Sequence, residues 1–133
     1  MHDDGYKRTG LGLRKLGPAL ANSLRGLRDA ARHEAAFRQE LFAVAVLAPL
    51  ALWLPFSAVE RMLLLGSLVL VLIVELLNSA IETTLDRVSV ERHELSRRAK
   101  DIGSAAVLLA VALAALVWLL LLWPQLIRLL RSA

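Results

Sequence analysis

Charged and apolar residues hardly mix along this chain. Residues 41–56, 62–74 and 102–123 contain no Lys, Arg, Asp or Glu, while the charges gather in the blocks between them. A soluble domain of 133 residues interleaves the two kinds of residue instead. Runs of this kind, extended by a few flanking residues, reach the roughly 20 residues that a helix needs to cross a bilayer. In the hydrocarbon region only a helix or a closed barrel satisfies its own backbone. The expectation is an all-α membrane protein with three spans, at about 38–56, 60–80 and 102–123.

The flanks refine that expectation. Residues 1–12 have no apolar periodicity and read as a flexible tail. Over residues 13–33, Leu13, Leu16, Leu20, Leu24 and Leu27 recur at spacings of three and four, and Arg14, Lys15, Arg25 and Arg28 fall mostly elsewhere. This is the pattern of a basic amphipathic helix on a membrane surface, with Pro18 at the start of its main part. "EAAFRQE" (34–40) reads as a charged, helix-compatible link. Pro49 removes one backbone hydrogen bond from the first span and invites a kink, and Pro55 ends it. "PFSAVER" is short enough to make spans one and two a hairpin. Gly103, Ser104, Ala105 and Ala106 open the third span with small side chains that permit close helix packing. Trp118 and Trp123 suit an interfacial belt, and residues 124–133 read as a short tail. The N-terminal segment and the loop with Arg87, Arg92, Arg97, Arg98 and Lys100 are both basic, which assigns them to the cytoplasmic side.

Composition excludes several classes. There is no cysteine, hence no disulfide, thiolate nucleophile or Cys-based metal site. The N-terminus has no apolar core or cleavage pattern, so no signal peptide is expected. The net charge of +4 comes from residues that flank spans rather than line a groove, which favours anionic lipid headgroups over nucleic acid as partners. No G-x-x-x-x-G-K-[ST] loop and no protein-kinase signature set occurs. His2, His33 and His93 lack the spacing of a zinc site.

Against this background the end of the second span is anomalous. "LVLVLIVELLNSAIETTLDRVS" (68–89) carries Glu75, Asn78, Ser79, Glu82 and Asp86. At about 100° per residue these five fall within roughly 60° of Glu75, while Leu76 and Ile81 lie about 100° and 120° away. An ionisable group at membrane depth costs roughly 2.5–3.5 kcal/mol on insertion scales, so such a stripe must meet water, a cation or another helix. Carboxylates one or two turns apart suit a hard divalent cation, and one of them suits a general base toward a hydroxyl. Both roles fit phosphoryl transfer. Lys100 and Asp101, at the entry to the third span, would supply a phosphate partner and an acceptor. Two other readings use the same stripe: a cation path in a small carrier, or an assembly surface in a structural subunit. The near absence of polar groups from the other two spans weighs against the carrier.

Three stretches together resemble the bacterial integral-membrane diacylglycerol kinases: "EAAFRQE" (34–40), "VELLNSAIE" (74–82) with Asp86 and Arg87 following, and "HELSRRAKDIGSAAVL" (93–108). The likeness spans residues 26–123. It implies an amphipathic surface helix, three transmembrane helices and a homotrimer in the bacterial inner membrane. It also implies transfer of the γ-phosphate of ATP, with Mg²⁺, to diacylglycerol at the cytoplasmic face, giving phosphatidic acid. Glu75 matches the catalytic base, Asn78 the polar residue beside it, and Glu34 with Glu82 the metal ligands. Nucleotide positions match Lys15, Asn22, Glu34 and Glu82, then Glu91, Arg92 and His93, and finally Lys100 and Asp101. Lipid-side positions match Arg28, then Ala36, Phe37, Arg38, Gln39 and Glu40, and also Trp53, Arg61, Glu75, Ser104 and Trp118. Three positions depart from the pattern: Lys15 stands for Arg, Asn22 for Tyr and Arg97 for Gly. A sister branch that phosphorylates undecaprenol shares the acidic stripe, but "EAAFRQE" and "KDIGSAAV" look more like the diacylglycerol branch.

Overall fold

The computed structural model describes residues 15–88 and 94–132. Its elements are four helices: α1 Leu16–His33, α2 Ala35–Trp53, α3 Ala58–Val88 and α4 Glu94–Ser132. The last three are long and apolar enough to cross a membrane. The expected class, an amphipathic helix followed by three transmembrane helices, is the observed one.

α1 buries none of its residues in the chain, and its leucines, among them Leu16, Leu20 and Leu24, stay exposed. Those exposed leucines suit insertion between lipid headgroups. The break between α1 and α2 falls at Glu34, whose backbone is extended (φ −97°, ψ 114°). Its N–H donates to the Ala30 carbonyl at 2.9 Å and closes the last turn of α1. Arg38 then reaches back from α2, and its Nη1 donates to the Arg32 carbonyl at 3.0 Å. A cation placed on the free carbonyls at a helix C-terminus is favourable both as a donor and against the helix dipole. α2 runs on through Pro49 to Trp53.

The turn after α2 is fixed at its far side by a reciprocal cap. The Ser57 N–H donates to Glu60 Oε2 at 2.7 Å, and the Glu60 N–H donates to Ser57 Oγ at 3.3 Å. This is a capping box that satisfies two of the free donors at the start of α3. Arg61 Nη2 donates across the turn to the Leu54 carbonyl at 3.3 Å.

α3 is the central element, with α2 and α4 both packed on it. Its buried residues are Leu64, Ser67, Leu68, Val71, Glu75, Asn78 and Ser79, one face at helical spacing. At the hairpin end, Leu64 and Leu68 join Ala51, Leu54, Phe56 and Trp118 in the main core. Nearer the acidic end, Val71 meets Ala110 and Ala114 of α4, and the still smaller Gly103 lies beyond them, buried. The side chains that α4 turns to α3 thus shrink along the bundle. Hydroxyls on α3 are satisfied locally: Ser67 Oγ donates to the Leu64 carbonyl, Thr83 Oγ1 to Ser79 and Thr84 Oγ1 to Ala80, each at 2.8 Å. Such back-bonding keeps a hydroxyl paired where no water is at hand.

Two boundaries differ from the sequence reading. The polar stretch 86–101 is largely helical, since α3 continues to Val88 and α4 begins at Glu94. The expected tail at 124–133 is a continuation of α4, which passes through Pro124 to Ser132. A proline removes one intrahelical bond without ending a helix that is held elsewhere. Here the buried Gln125 Nε2 donates to the Pro55 carbonyl at 3.3 Å and ties this end of α4 to the α2–α3 turn. At about 1.5 Å per residue, the 39 residues of α4 span about 58 Å, well beyond the hydrocarbon core.

Candidate active site

The acidic stripe of α3 is turned inward. Glu75 is 4% exposed, and Asn78 and Ser79 are 9% exposed. Asn78 Nδ2 donates to Glu82 Oε1 at 3.2 Å, so amide and carboxylate form one unit along a helical turn. The other atom of that amide, Oδ1, faces α4 at Gly103, where a Cβ would overlap it. Among the described residues Asn78 Oδ1 is buried and accepts no hydrogen bond.

Other carboxylates converge on the same place. Glu34 at the α1–α2 break and Glu82 about two helical turns along α3 both act on Glu75 through space, as Glu75 does on Glu40 of α2. Four acids from two segments therefore share one electrostatic neighbourhood. Glu40 Oε2 is buried with no hydrogen-bond partner among the described residues. The cations lie at the rim. Lys100 Nζ bonds to Asp86 Oδ1 at 2.6 Å and is also within electrostatic reach of Glu82. The partner of Lys100 is therefore Asp86, while Asp101 pairs with Arg97 at 2.8 Å, and Arg97 also holds Glu94.

Two concavities open onto this neighbourhood. One, of about 690 Å³, lies between α1 and α3, with Ser23, Asp29 and His33 on one wall, Ser79 and Thr83 on the other, and Glu34 at its end. The His33 ring nitrogen Nδ1 sits 3.0 Å from the Asp29 carbonyl. The other, of about 260 Å³, is an apolar crevice among α2, α3 and α4. Glu40 stands at one place on its lining and Trp118 at another, with Leu47, Leu68, Val71 and Ala114 between.

The remaining sequence candidates divide clearly. Ser104 is exposed next to Gly103. Phe37 is 2% exposed and anchors α2 beside the acids, whereas Ala36 and Gln39 face outward. Arg38 is committed to the Arg32 carbonyl, and Arg28 is exposed on α1. Lys15 lies at the far end of α1, about 28 Å along the helix from Glu34, and Asn22 about 18 Å from it. Asn22 is bonded to Arg25. Neither therefore adjoins Glu34 along α1, although Ser23, next to Asn22, lines the concavity that α1 shares with α3. Trp53, fully on the surface, and Arg61 sit at the hairpin turn, about 21 Å along α3 from Glu75. Glu91, Arg92 and His93 lie outside the described residues.

Three features escaped the sequence reading. Glu40 belongs with the acids, not only with the lipid-facing surface. Asp86 and Lys100 pair across the α3–α4 hairpin. Gly103 touches Asn78. The last was accessible in principle, because Asn78 and Gly103 stand nearly equidistant from the link at residues 89–93, as antiparallel neighbours must.

Comparison with known proteins places this arrangement. Residues 21–122 match the family model of the prokaryotic diacylglycerol kinases. The chain belongs to that family. It is 52% identical over 114 residues to a diacylglycerol kinase of Escherichia coli K12, covering 86% of this chain and 93% of the relative. A diacylglycerol kinase of Haemophilus influenzae is 47% identical over 113 residues, covering 85% and 94%. A third, from Pseudomonas aeruginosa, is 50% identical over 107 residues, covering 80% and 87%. The matched region takes in the whole acidic neighbourhood, from Glu34 to Gly103.

Proposed function

We propose that the chain is a lipid kinase that transfers the γ-phosphate of ATP to the free hydroxyl of diacylglycerol, giving phosphatidic acid and ADP. The observation that carries this reading is the buried Glu75 within electrostatic reach of Glu82, which is itself bonded to Asn78, inside a membrane-spanning helix of a chain whose relatives bear that name. A carboxylate is held at this depth, at a cost, only where its charge is used.

Glu75 takes the proton from the lipid hydroxyl. The freed oxygen attacks the γ-phosphorus in line, the bond from that phosphorus to the β–γ bridging oxygen breaks, and ADP leaves. Asn78 orients the hydroxyl and holds Glu82. Lys100, at the cytoplasmic rim, neutralises phosphate charge, and Asp86 steadies it. The concavity between α1 and α3 has the volume of an ordinary ligand site, with Glu34 where the nucleotide phosphates would enter. The crevice from Glu40 to Trp118 offers an apolar path for an acyl chain.

The donor set fits Mg²⁺. Among the described residues no three His, Cys, Asp or Glu side chains form a cage, but Mg²⁺ prefers one or two carboxylates completed by substrate phosphates and water. Glu34 and Glu82 are those carboxylates. Bound there, Mg²⁺ would offset the charge of the ATP phosphates. The same reading places the protein in the bacterial inner membrane, with the acids at the cytoplasmic face and a homotrimer as the working unit.

The test is phosphate transfer from radiolabelled ATP in mixed micelles, with diacylglycerol and undecaprenol offered separately, with and without Mg²⁺. Magnesium-dependent labelling of diacylglycerol is the expected result. Labelling of undecaprenol alone would move the substrate to the sister branch. No labelling by folded protein would return the acidic stripe to a cation path or an assembly surface.

A further inference from the structure

We infer that Gly103 is a positioning residue for the metal-binding carboxylate Glu82, acting through Asn78. This rests on the reading of Glu82 as a magnesium ligand.

Asn78 is nine-tenths buried between α3 and α4, and its amide has two possible orientations. Nδ2 donates to Glu82 Oε1 at 3.2 Å. The reverse orientation would set Oδ1 against a carboxylate oxygen, two acceptors with no proton between them. With the donor turned to Glu82, Oδ1 must face α4, where it meets Gly103. Any side chain at position 103 begins with a Cβ, and that Cβ would overlap Oδ1 and lie 3.4 Å from Asn78 Cγ. Among the described residues Oδ1 has no N–H or O–H donor, so the weakly polar Cα–H surface of a glycine is what faces it. Three requirements coincide at one point: a donor for Glu82, a buried oxygen with no strong partner, and a helix surface without a side chain. Gly66 has no such constraint, because a Cβ there meets nothing within 4 Å.

Adding a methyl at 103 forces the Asn78 amide to turn or withdraw. Glu82 then loses the hydrogen bond that fixes its rotamer, and the carboxylate waits for the cation in many orientations. Partners that orient a metal ligand are worth roughly 10–100-fold in metal affinity. Gly103 is therefore needed for more than close approach of two helices.

The experiment titrates Mn²⁺, as a paramagnetic stand-in for Mg²⁺, against the full-length protein in detergent with a non-hydrolysable ATP analogue, and reads free Mn²⁺ by electron paramagnetic resonance. Gly103→Ala and Asn78→Ala should each weaken Mn²⁺ binding about 10-fold. In the Asn78→Ala background, where no amide is left to displace, Gly103→Ala should add no more than about twofold, the non-additivity of residues that act as a unit. Gly66→Ala should bind as the parent does. The proposal is overturned if Asn78→Ala leaves Mn²⁺ affinity unchanged. It is equally overturned if Gly103→Ala weakens binding as much without the amide as with it, since the glycine would then serve helix spacing alone. If Gly103→Ala does not fold but the double variant does, the clash with Asn78 is confirmed and the Asn78→Ala titration decides the rest. Glu82→Gln separates the underlying reading: unchanged Mn²⁺ binding there would remove Glu82 as a ligand, and the role of Gly103 with it.

Discussion

The two ends of α3 are built from opposite materials. The hairpin end is closed by apolar bulk: Leu64 is fully buried, and Leu68, Phe56 and Trp118 fill the space around it. Its polar groups are paired locally in the Ser57–Glu60 box and the Ser67 back-bond, while Trp118 Nε1 and Arg61 Nε have no hydrogen-bond partner among the described residues. At the acidic end α4 offers Ala110 and then Gly103, and the space is filled by Glu75, Asn78 and Glu82. Among the described residues no ion pair is made by Glu75 or Glu82. One end of the helix secures the fold and the other gives up stability for a concentration of carboxylates, a division usual where a site is mounted on a rigid element.

Mutations sharpen the comparison. Leu64→Ala should cost about 2–5 kcal/mol of stability through the cavity it leaves in the hairpin core. Turnover per folded molecule should be unchanged, as checked by thermal unfolding in detergent beside a specific-activity assay. A loss of turnover without a loss of stability would erase the distinction between the ends. Glu82→Gln and Glu34→Gln should do the reverse, raising the Mg²⁺ concentration for half-maximal activity about 10–100-fold with little change in melting temperature. An unchanged requirement would remove them as ligands. Ser57→Ala should cost about 1 kcal/mol by removing the side-chain half of the cap on α3, again with no change in magnesium dependence. Asp86→Asn should leave the melting temperature unaltered, because its pair with Lys100 is solvent-exposed and such pairs contribute little. A clear fall in melting temperature would show that the α3–α4 link depends on that pair.

The sequence disclosed the acidic end more readily than it disclosed how that end is held. The stripe follows from helical periodicity alone, because Glu75, Asn78 and Glu82 stand out in an apolar run and the bilayer gives such residues few alternatives. The three spans were legible for the same reason. The surface helix was expected to end at residue 33, but what holds the break at Glu34 was hidden. Residues 31–38 contain neither Gly nor Pro, and the chain turns there because Arg38 holds the end of α1 while α2 departs. The helical run of α4 past Pro124 was hidden as well, since it depends on Gln125 meeting Pro55, 70 residues away. The Gly103–Asn78 contact needed the register of the α3–α4 pair, which no single helix pattern contains. Local periodicity thus reveals which residues are unusual, and tertiary packing decides what they touch.

The central claim is that Glu75 is the base for phosphate transfer. It is tested most directly by Glu75→Gln, assayed for transfer from ATP to diacylglycerol per folded molecule, with melting temperature measured on the same preparation. The account predicts a fall in kcat of at least about 10²–10⁴-fold, the usual contribution of a general base, in a protein as stable as its parent. Retained turnover in that stable variant would contradict it.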